Sequence, residues 1–372
     1  MNQSKLKLSV LATALILSAC GGGGGGGTVL IEPIKQPDSP VVPTVVPTEN
    51  SSVIDAGLST IITSAPPVPT YAIDSAEYSA FTTLNAERIQ CGFGPLKQNA
   101  KLDTYIKGHI DWQLLTQIPD YLSHVQKPNT PGFTGITYLD RALAVGYITP
   151  ELYASNHDAN GNSVYRLSEG LTGGGERRYG AWGGEAVRVL LSAPYHMMGL
   201  LEPVVDIGVA VRDSFDAGVV LASGVSSRSI TGILTGSATQ ERQMQSATDV
   251  LTYPCEGSTG VTRLLGAETP NPVPGRNLGI NPIGTTVYIQ VRENQVIKIT
   301  SAAMVNATTN AAVVLRAPMT NDVDPNPGYY QLNGAYVSAD APLDRNTRYS
   351  VTIQGTNNGV AFTKKFTFTT AV

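Results

Sequence analysis

Leu190-Leu191-Ser192-Ala193-Pro194-Tyr195-His196, followed by Pro203-Val204-Val205-Asp206-Ile207-Gly208-Val209, is the stretch on which the reading of this chain turns. An apolar helical run stops at a Ser-Ala-Pro turn, presents one histidine, and feeds a buried strand that carries a glycine. Two upstream residues are candidates to converge on His196. They are His124, in Leu122-Ser123-His124, and Glu169, in Leu167-Ser168-Glu169-Gly170.

Working outward from that stretch, Asp74-Ser75-Ala76-Glu77 reads as a helix start, with Asp74 at the cap and Glu77 three residues on. Tyr78, Phe81, Leu84 and Ile89 then recur at helical spacing until Cys91-Gly92-Phe93-Gly94-Pro95 ends the run. A second helix is predicted from about Asn99, with Leu102, Tyr105, Ile106, Ile110 and Leu114 inward. His109 lies in this apolar stripe and reads as a packed, hydrogen-bonded core histidine rather than a ligand. Asp140 caps a short helix that Gly146 ends. Residues 148–181 read as a long polar insertion and the rim of a cleft, with His157 and Asp158 in a solvated turn. Gly173-Gly174-Gly175 lacks the Lys-Ser/Thr and the preceding strand of a phosphate loop.

The order Leu84-Asn85-Ala86-Glu87-Arg88, Gly94-Pro95-Leu96, Ser123-His124, Asp140-Arg141-Ala142 with Gly146-Tyr147, Ser168-Glu169, Ser192 to His196 and Ile207-Gly208-Val209 resembles the bacterial branch of the CAP superfamily. That superfamily holds the cysteine-rich secretory proteins, antigen 5 and pathogenesis-related proteins, and its module is the SCP domain. The resemblance spans about residues 75–240. It implies an α+β fold, an α-β-α sandwich in which a central antiparallel sheet lies between helix layers, with a surface cleft of histidines and glutamates. Carried over, His124 is the first cleft histidine, Glu169 the glutamate of a Glu-Asn pair, and His196 the histidine of a Ser-Pro-Gly-His stretch. Gly170 departs from the asparagine, Val189 from a tryptophan, and Ala193-Pro194-Tyr195 alters the turn. Glu185 is the only nearby second acid, and it also suits the first turn of the helix after Gly183-Gly184.

Two imidazoles and one carboxylate could hold zinc with an open position, through His124 and His196, or form a hydrated polar cleft without a permanent metal. Neither His-Glu-x-x-His nor Gly-x-Ser-x-Gly occurs, so no catalytic residue is assigned. Ser192 reads as a turn serine, since no orienting acid accompanies it. Two functions follow. One is a non-enzymatic module of the cell envelope that binds a small ligand or a divalent ion in the His/Glu cleft. The alternative is a metal-assisted hydrolase of peptide or cell-wall bonds.

Met1 to Ala19 carries two lysines and an apolar run from Leu8 to Leu17, too short for a membrane span. Its end, Leu17-Ser18-Ala19-Cys20, resembles a bacterial lipoprotein signal, which implies lipidation of Cys20 and membrane attachment through acyl chains. Gly21 after the cysteine, where an aspartate would imply inner-membrane retention, points to the outer membrane. From 20 to 70 the composition is that of an unstructured tether, with seven glycines at 21–27 and prolines at 33, 37, 40, 43 and 47. Such a coil spans roughly 40 Å on average, enough to carry a folded part toward a cell-wall or extracellular ligand. Of 25 Lys+Arg and 29 Asp+Glu, the segment 1–19 removes two lysines, which leaves an acidic chain without a nucleic-acid footprint. Cys91 and Cys255 either pair in an oxidising compartment or stay as two buried thiols.

The domain expected over 71–250 gives way at Pro270-Asn271-Pro272-Val273-Pro274-Gly275 to a period of two, with Val287, Ile289 and Val291 alternating with Tyr288, Gln290 and Arg292. Further strands are predicted at 296–300, 312–315, 347–353 and 362–369, with turns at Asn321-Asp322 and Asn357-Asn358-Gly359. Residues 256–372 are thus expected to form an all-β sandwich. Pro342 to Ile353, with Phe366-Thr367-Phe368-Thr369-Thr370, resembles the last two strands of bacterial immunoglobulin-like domains.

Overall fold

The structure is a computed structural model that describes residues 19–21, 59–60, 65–116, 122–154, 165–174, 181–214, 229–239, 241–329 and 331–372. His157 and Asp158 lie outside the described residues. The fold mixes helices with several sheets. In chain order the first unit carries β1 (Ala19–Gly21), β2 (Ser59–Thr60), α1 (Ala76–Cys91), β3 (Lys97–Gln98), α2 (Ala100–Thr116), α3 (Tyr138–Ala144) and α4 (Pro150–Ala154). β4 (Arg166–Gly174), α5 (Ala181–Leu190), α6 (Pro194–Leu201), β5 (Asp206–Asp213), β6 (Ser229–Ser237) and β7 (Gln243–Met244) follow.

The main sheet runs β1-β4-β6-β5-β3. Its pairs are antiparallel except at the edge, where β3 lies parallel to β5, so the sheet expected to be antiparallel is mixed. Where a tether was expected, the backbone of Ala19–Gly21 pairs with Thr172–Gly170 and that of Ser59–Thr60 with β7. Both faces of the sheet are covered. Ile207, Val209, Val211 and Ile233 turn to a core shared with Phe81, Leu84, Val187 and Leu201 of α1, α5 and α6. Ala210, Ile230 and Leu234 turn the other way, onto Leu102, Ile106 and Ile110 of α2. The parity of the strand decides the layer, since successive side chains point to opposite faces. Gly208 has to be a glycine, because a Cβ there would lie 2.3 Å from the Leu102 carbonyl carbon.

Local signals were refined rather than reversed in α1, where Ser75, not Asp74, accepts the cap bond from the Tyr78 amide, and Gly92 closes the helix at φ 85°. In α3 the cap is Thr137, in a reciprocal box with Asp140. The Ser-Ala-Pro turn does not end the helical layer. Pro194 opens α6, as its fixed φ and missing N–H allow at a first helical position, and His196 sits in the first turn. Ser192 Oγ donates to the Val189 carbonyl at 2.7 Å, the turn role expected of it.

Most of the described residues in the expected insertion 148–181 are regular. It contains α4 and the inner strand β4, and Gly173 and Gly174 end that strand. β4 escaped the sequence reading because a strand buried on both faces, with Ser168, Glu169 and Gly170 in its middle, shows neither alternation nor an apolar run.

The second unit carries β8 (Leu251–Tyr253), β9 (Ser258–Val261), β10 (Leu264–Leu265), β11 (Ile283–Gly284), β12 (Thr286–Gln290), β13 (Ile297–Asn306), β14 (Met319–Thr320), β15 (Gly334–Ser338), β16 (Arg348–Asn357) and β17 (Val360–Thr370). Sheets β14-β15-β12-β8 and β13-β16-β17-β9 enclose Val287, Ile289, Val337, Val351, Ile353, Phe366 and Phe368. β8 joins this unit ahead of residue 256. The β16–β17 hairpin turns at Asn358 and Gly359, both at positive φ, as a two-residue primed turn requires. Residues 312–315 make only isolated bridges, Val305 to Ala312 and Leu315 to Ala339.

The alternation in β12 holds, but its other face is not solvent. Tyr288 and Tyr336 pack into the core of the first unit beside Leu200 and Leu201. Cys91 and Cys255 are bonded, with Cα atoms 5.4 Å apart, which ties the end of α1 to the second unit. Among the described residues no helix is long and apolar enough to cross a membrane.

Candidate functional site

Glu169 points from β4 toward α2 and α3, with its side chain 2 % exposed. It accepts four hydrogen bonds: from Tyr105 Oη at 2.6 Å, His124 Nδ1 at 2.6 Å, and Arg141 Nη2 at 3.3 and 3.0 Å to the two carboxylate oxygens. Burial opposes its charge. The charges of His109 and Arg141 and the bond from His124 outweigh burial and hold the carboxyl well below the usual carboxylate range. Burial, then the neighbouring carboxylate, push the Tyr105 hydroxyl well above its usual value, so it stays a donor.

Arg141, 1 % exposed, clamps the loop that bears His124. Its guanidinium donates to the carbonyl oxygens of His124, Gly135 and Ile136 and lies 5.1 Å over the Tyr105 ring. His109 is buried as expected. Its Nε2 donates to the Ser123 carbonyl at 2.8 Å, and its Nδ1 accepts from the Gln126 amide at 2.9 Å. Burial lowers its pKa to about 4, so the ring is neutral near pH 7, where Arg141 is the permanent cation beside Glu169, and its charge acts on Glu169 only in acid. The cluster meets solvent at His124, whose side chain is 16 % exposed.

His196 is not part of this group. Gly170, one residue beyond Glu169, faces the opposite layer, and a Cβ there would sit 3.5 Å from His196 Cδ2. The His196 ring is fully buried, and its Nδ1 lies 3.2 Å from Glu268 Oε1 of the second unit. The same oxygen accepts from the backbone amides of Tyr195 and His196 and so caps α6, whose Ala193 offers no side-chain cap. Burial raises the Glu268 carboxyl. Glu185 is exposed on α5, in the layer opposite Glu169. A zinc site from His124 and His196 with Glu169 is therefore not assembled, because one residue of strand parity puts them on two sides of the sheet. Among the described residues no group of three His, Cys, Asp or Glu is placed to hold a metal ion.

Arg141 and Tyr105 were readable only as a motif residue and a core residue; nothing local marks a charge destined for burial. Glu268, in Ala267-Glu268-Thr269-Pro270, carries no sequence signal for its role at α6. In comparison with known proteins, no family model matches the chain and no curated protein matches it.

The cluster makes stability depend on pH. His109 has its pKa depressed from 6.5 to about 4, so the unfolded chain takes up a proton first, and stability falls as pH drops from about 6.5 to about 4. Glu169, also depressed, contributes above the ordinary carboxylate value of 4.5 and loses that contribution as pH falls further. The free-energy gap between wild type and His109→Gln should shrink by up to about 3 kcal/mol between pH 7 and pH 4. Urea unfolding across that range measures it, and a gap that does not change with pH would contradict the assignment.

Proposed function

We propose that the first unit is a CAP-like module and the second an immunoglobulin-like one, in a lipoprotein anchored through Cys20 to a cell-envelope membrane, the outer one where present. We propose that it binds a small ligand at His124 rather than catalysing a reaction. One observation carries this reading. Glu169 is engaged by Tyr105, Arg141 and His124, so it orients a histidine and is committed to its neighbours rather than presented to a metal or a substrate proton. In this reading a ligand or divalent ion meets the imidazole, and zinc is not a built-in cofactor. The alternative hydrolase would need Glu169 as metal ligand or general base, which those bonds oppose.

Side-chain nitrogen NMR of the histidines tests this, with zinc chloride, a fatty acid and a muropeptide as probes. A probe that shifts the His124 signals, leaves those of His109 and His196 in place and loses at least tenfold in affinity in His124→Ala supports the site. If no probe moves His124, the site is structural; if the muropeptide is cleaved by wild type and not by Glu169→Gln, the hydrolase reading replaces this one.

A further inference from the structure

Leu115, in the last turn of α2, and Val125, Phe133 and Ile136, in the loop that leads to α3, are 43, 57, 38 and 44 % exposed. The loop that carries them is tightly held. The Gln126 amide donates to the Ile136 carbonyl at 2.9 Å, and the Gln126 side chain accepts from the Thr134 amide and donates to its hydroxyl. Trp112 Nε1 donates to Thr130 Oγ1 at 2.7 Å. Gly132, at φ 76°, lets Leu115 approach the loop backbone, since a Cβ there would lie 2.9 Å from Leu115 Cδ1. The backbone thus gathers Val125 with Ile136, and Leu115 with Phe133. Single exposed apolar residues are ordinary, but four fixed on one loop mark a contact surface that needs little further ordering to be covered.

Two observations choose what covers it. Residues 122–137 contain no Asp or Glu and one lysine, the exposed Lys127, in a chain of 29 Asp+Glu against 25 Lys+Arg. Apolar side chains beside a cation suit the interface of an anionic bilayer better than a second copy of an acidic chain. The other observation is where the anchor lies. Cys20 pairs through its backbone with Leu171 of β4. The loop meets the same strand on either side of that residue: His124 Nδ1 bonds Glu169, and a Cβ on Gly173 would lie 3.7 Å from Leu122 Cδ1. We propose that the loop 122–137 dips into the bilayer interface beside the acyl chains of Cys20, so that the first unit lies on the membrane rather than at the far end of a tether. The place of the anchor rests on the lipoprotein reading; the apolar loop does not.

Flotation with vesicles of phosphatidylcholine and phosphatidylglycerol, using the full mature chain with Cys20→Ser so that no acyl chain contributes, tests it. Half-maximal binding is expected at about 1 mM lipid. Val125→Ser with Phe133→Ser and Ile136→Ser should weaken it at least tenfold through the apolar area no longer buried in lipid. Lys127→Gln should lose about fivefold on these vesicles and nothing on pure phosphatidylcholine. Should the triple variant fold poorly, Phe133→Trp gives a second readout, because its fluorescence should be quenched by brominated lipid beyond the wild-type level. No quenching, no binding at about 10 mM lipid, or equal binding by a folded triple variant would overturn the proposal. A concentration-dependent dimer that the triple variant abolishes, with no lipid bound, would overturn it in favour of a second copy. The anchor is decided separately. An unmodified Cys20 in the mass spectrum of the membrane-bound chain would sink the lipoprotein reading, and with it the place of the loop beside acyl chains.

Discussion

Glu169→Ala is expected to destabilise the protein by about 3–5 kcal/mol, because it strands the buried charge of Arg141. The Arg141 side chain is 1 % exposed, and the carboxylate is its only ionic partner in the cluster among the described residues. Tyr105 Oη and His124 Nδ1 lose their acceptor at the same time. Glu169→Gln keeps the volume and an acceptor oxygen and should cost less, about 1–3 kcal/mol. The diagnostic comparison is Glu169→Ala combined with Arg141→Met. Removing both charges should recover much of the loss, since an apolar pair replaces an ion pair more cheaply than a lone charge survives. Urea denaturation of the four proteins at pH 7 yields the coupling energy. A double variant no more stable than Glu169→Ala would show that Arg141 acts through its loop contacts instead.

Cys91→Ser with Cys255→Ser is the second large effect. The bond spans 164 residues, for which loop-closure entropy predicts a loss of about 5 kcal/mol. For a folded part of this size that corresponds to a melting-temperature drop on the order of 10 °C. The loss should exceed what loop length alone implies if the two units separate, because Tyr288 and Tyr336 would then leave the shared core. Scanning calorimetry decides between the cases. A single lowered transition means that the packed interface holds without the bond, and two transitions mean that it does not. An unchanged melting temperature would show that the interface, not the covalent link, sets the stability.

Much of the local structure could be read from the chain because local signals act over a few residues. Gly92, Gly146 and the Asn358-Gly359 turn work through backbone geometry that a short peptide already prefers, whereas the cap of α1 was read one residue early, at Asp74 instead of Ser75. The stripe in α2 and the alternation in β12 report which side is buried, since apolar periodicity has to match the period of the element. His109 was legible as a core residue for the same reason.

What the periodicity does not carry is the identity of the surface on the far side. Alternation sets Tyr288, Gln290 and Arg292 on the face opposite Val287 and Ile289 without saying what covers it, and Tyr288 and Gln290 are buried against the first unit. β4 was missed because both its faces are covered. The convergence of His196 with His124 and Glu169 failed on a single step of strand parity, and the partner His196 has instead, Glu268, comes from 72 residues downstream.

By itself, then, the sequence determined the positions of α1 and α2, the change from helical to period-two order after residue 270, and the residues able to carry charge or bind. Only the tertiary structure decided that Arg141 and Tyr105 complete the Glu169 site, that Cys91 meets Cys255, and that His196 belongs to the junction of the units. The physical reason is range. Propensity, capping and periodicity are settled within a few turns of chain. Which buried charge meets which partner depends on how layers close over 28 residues for Arg141 and Glu169 and 72 for His196 and Glu268, and no local pattern records that.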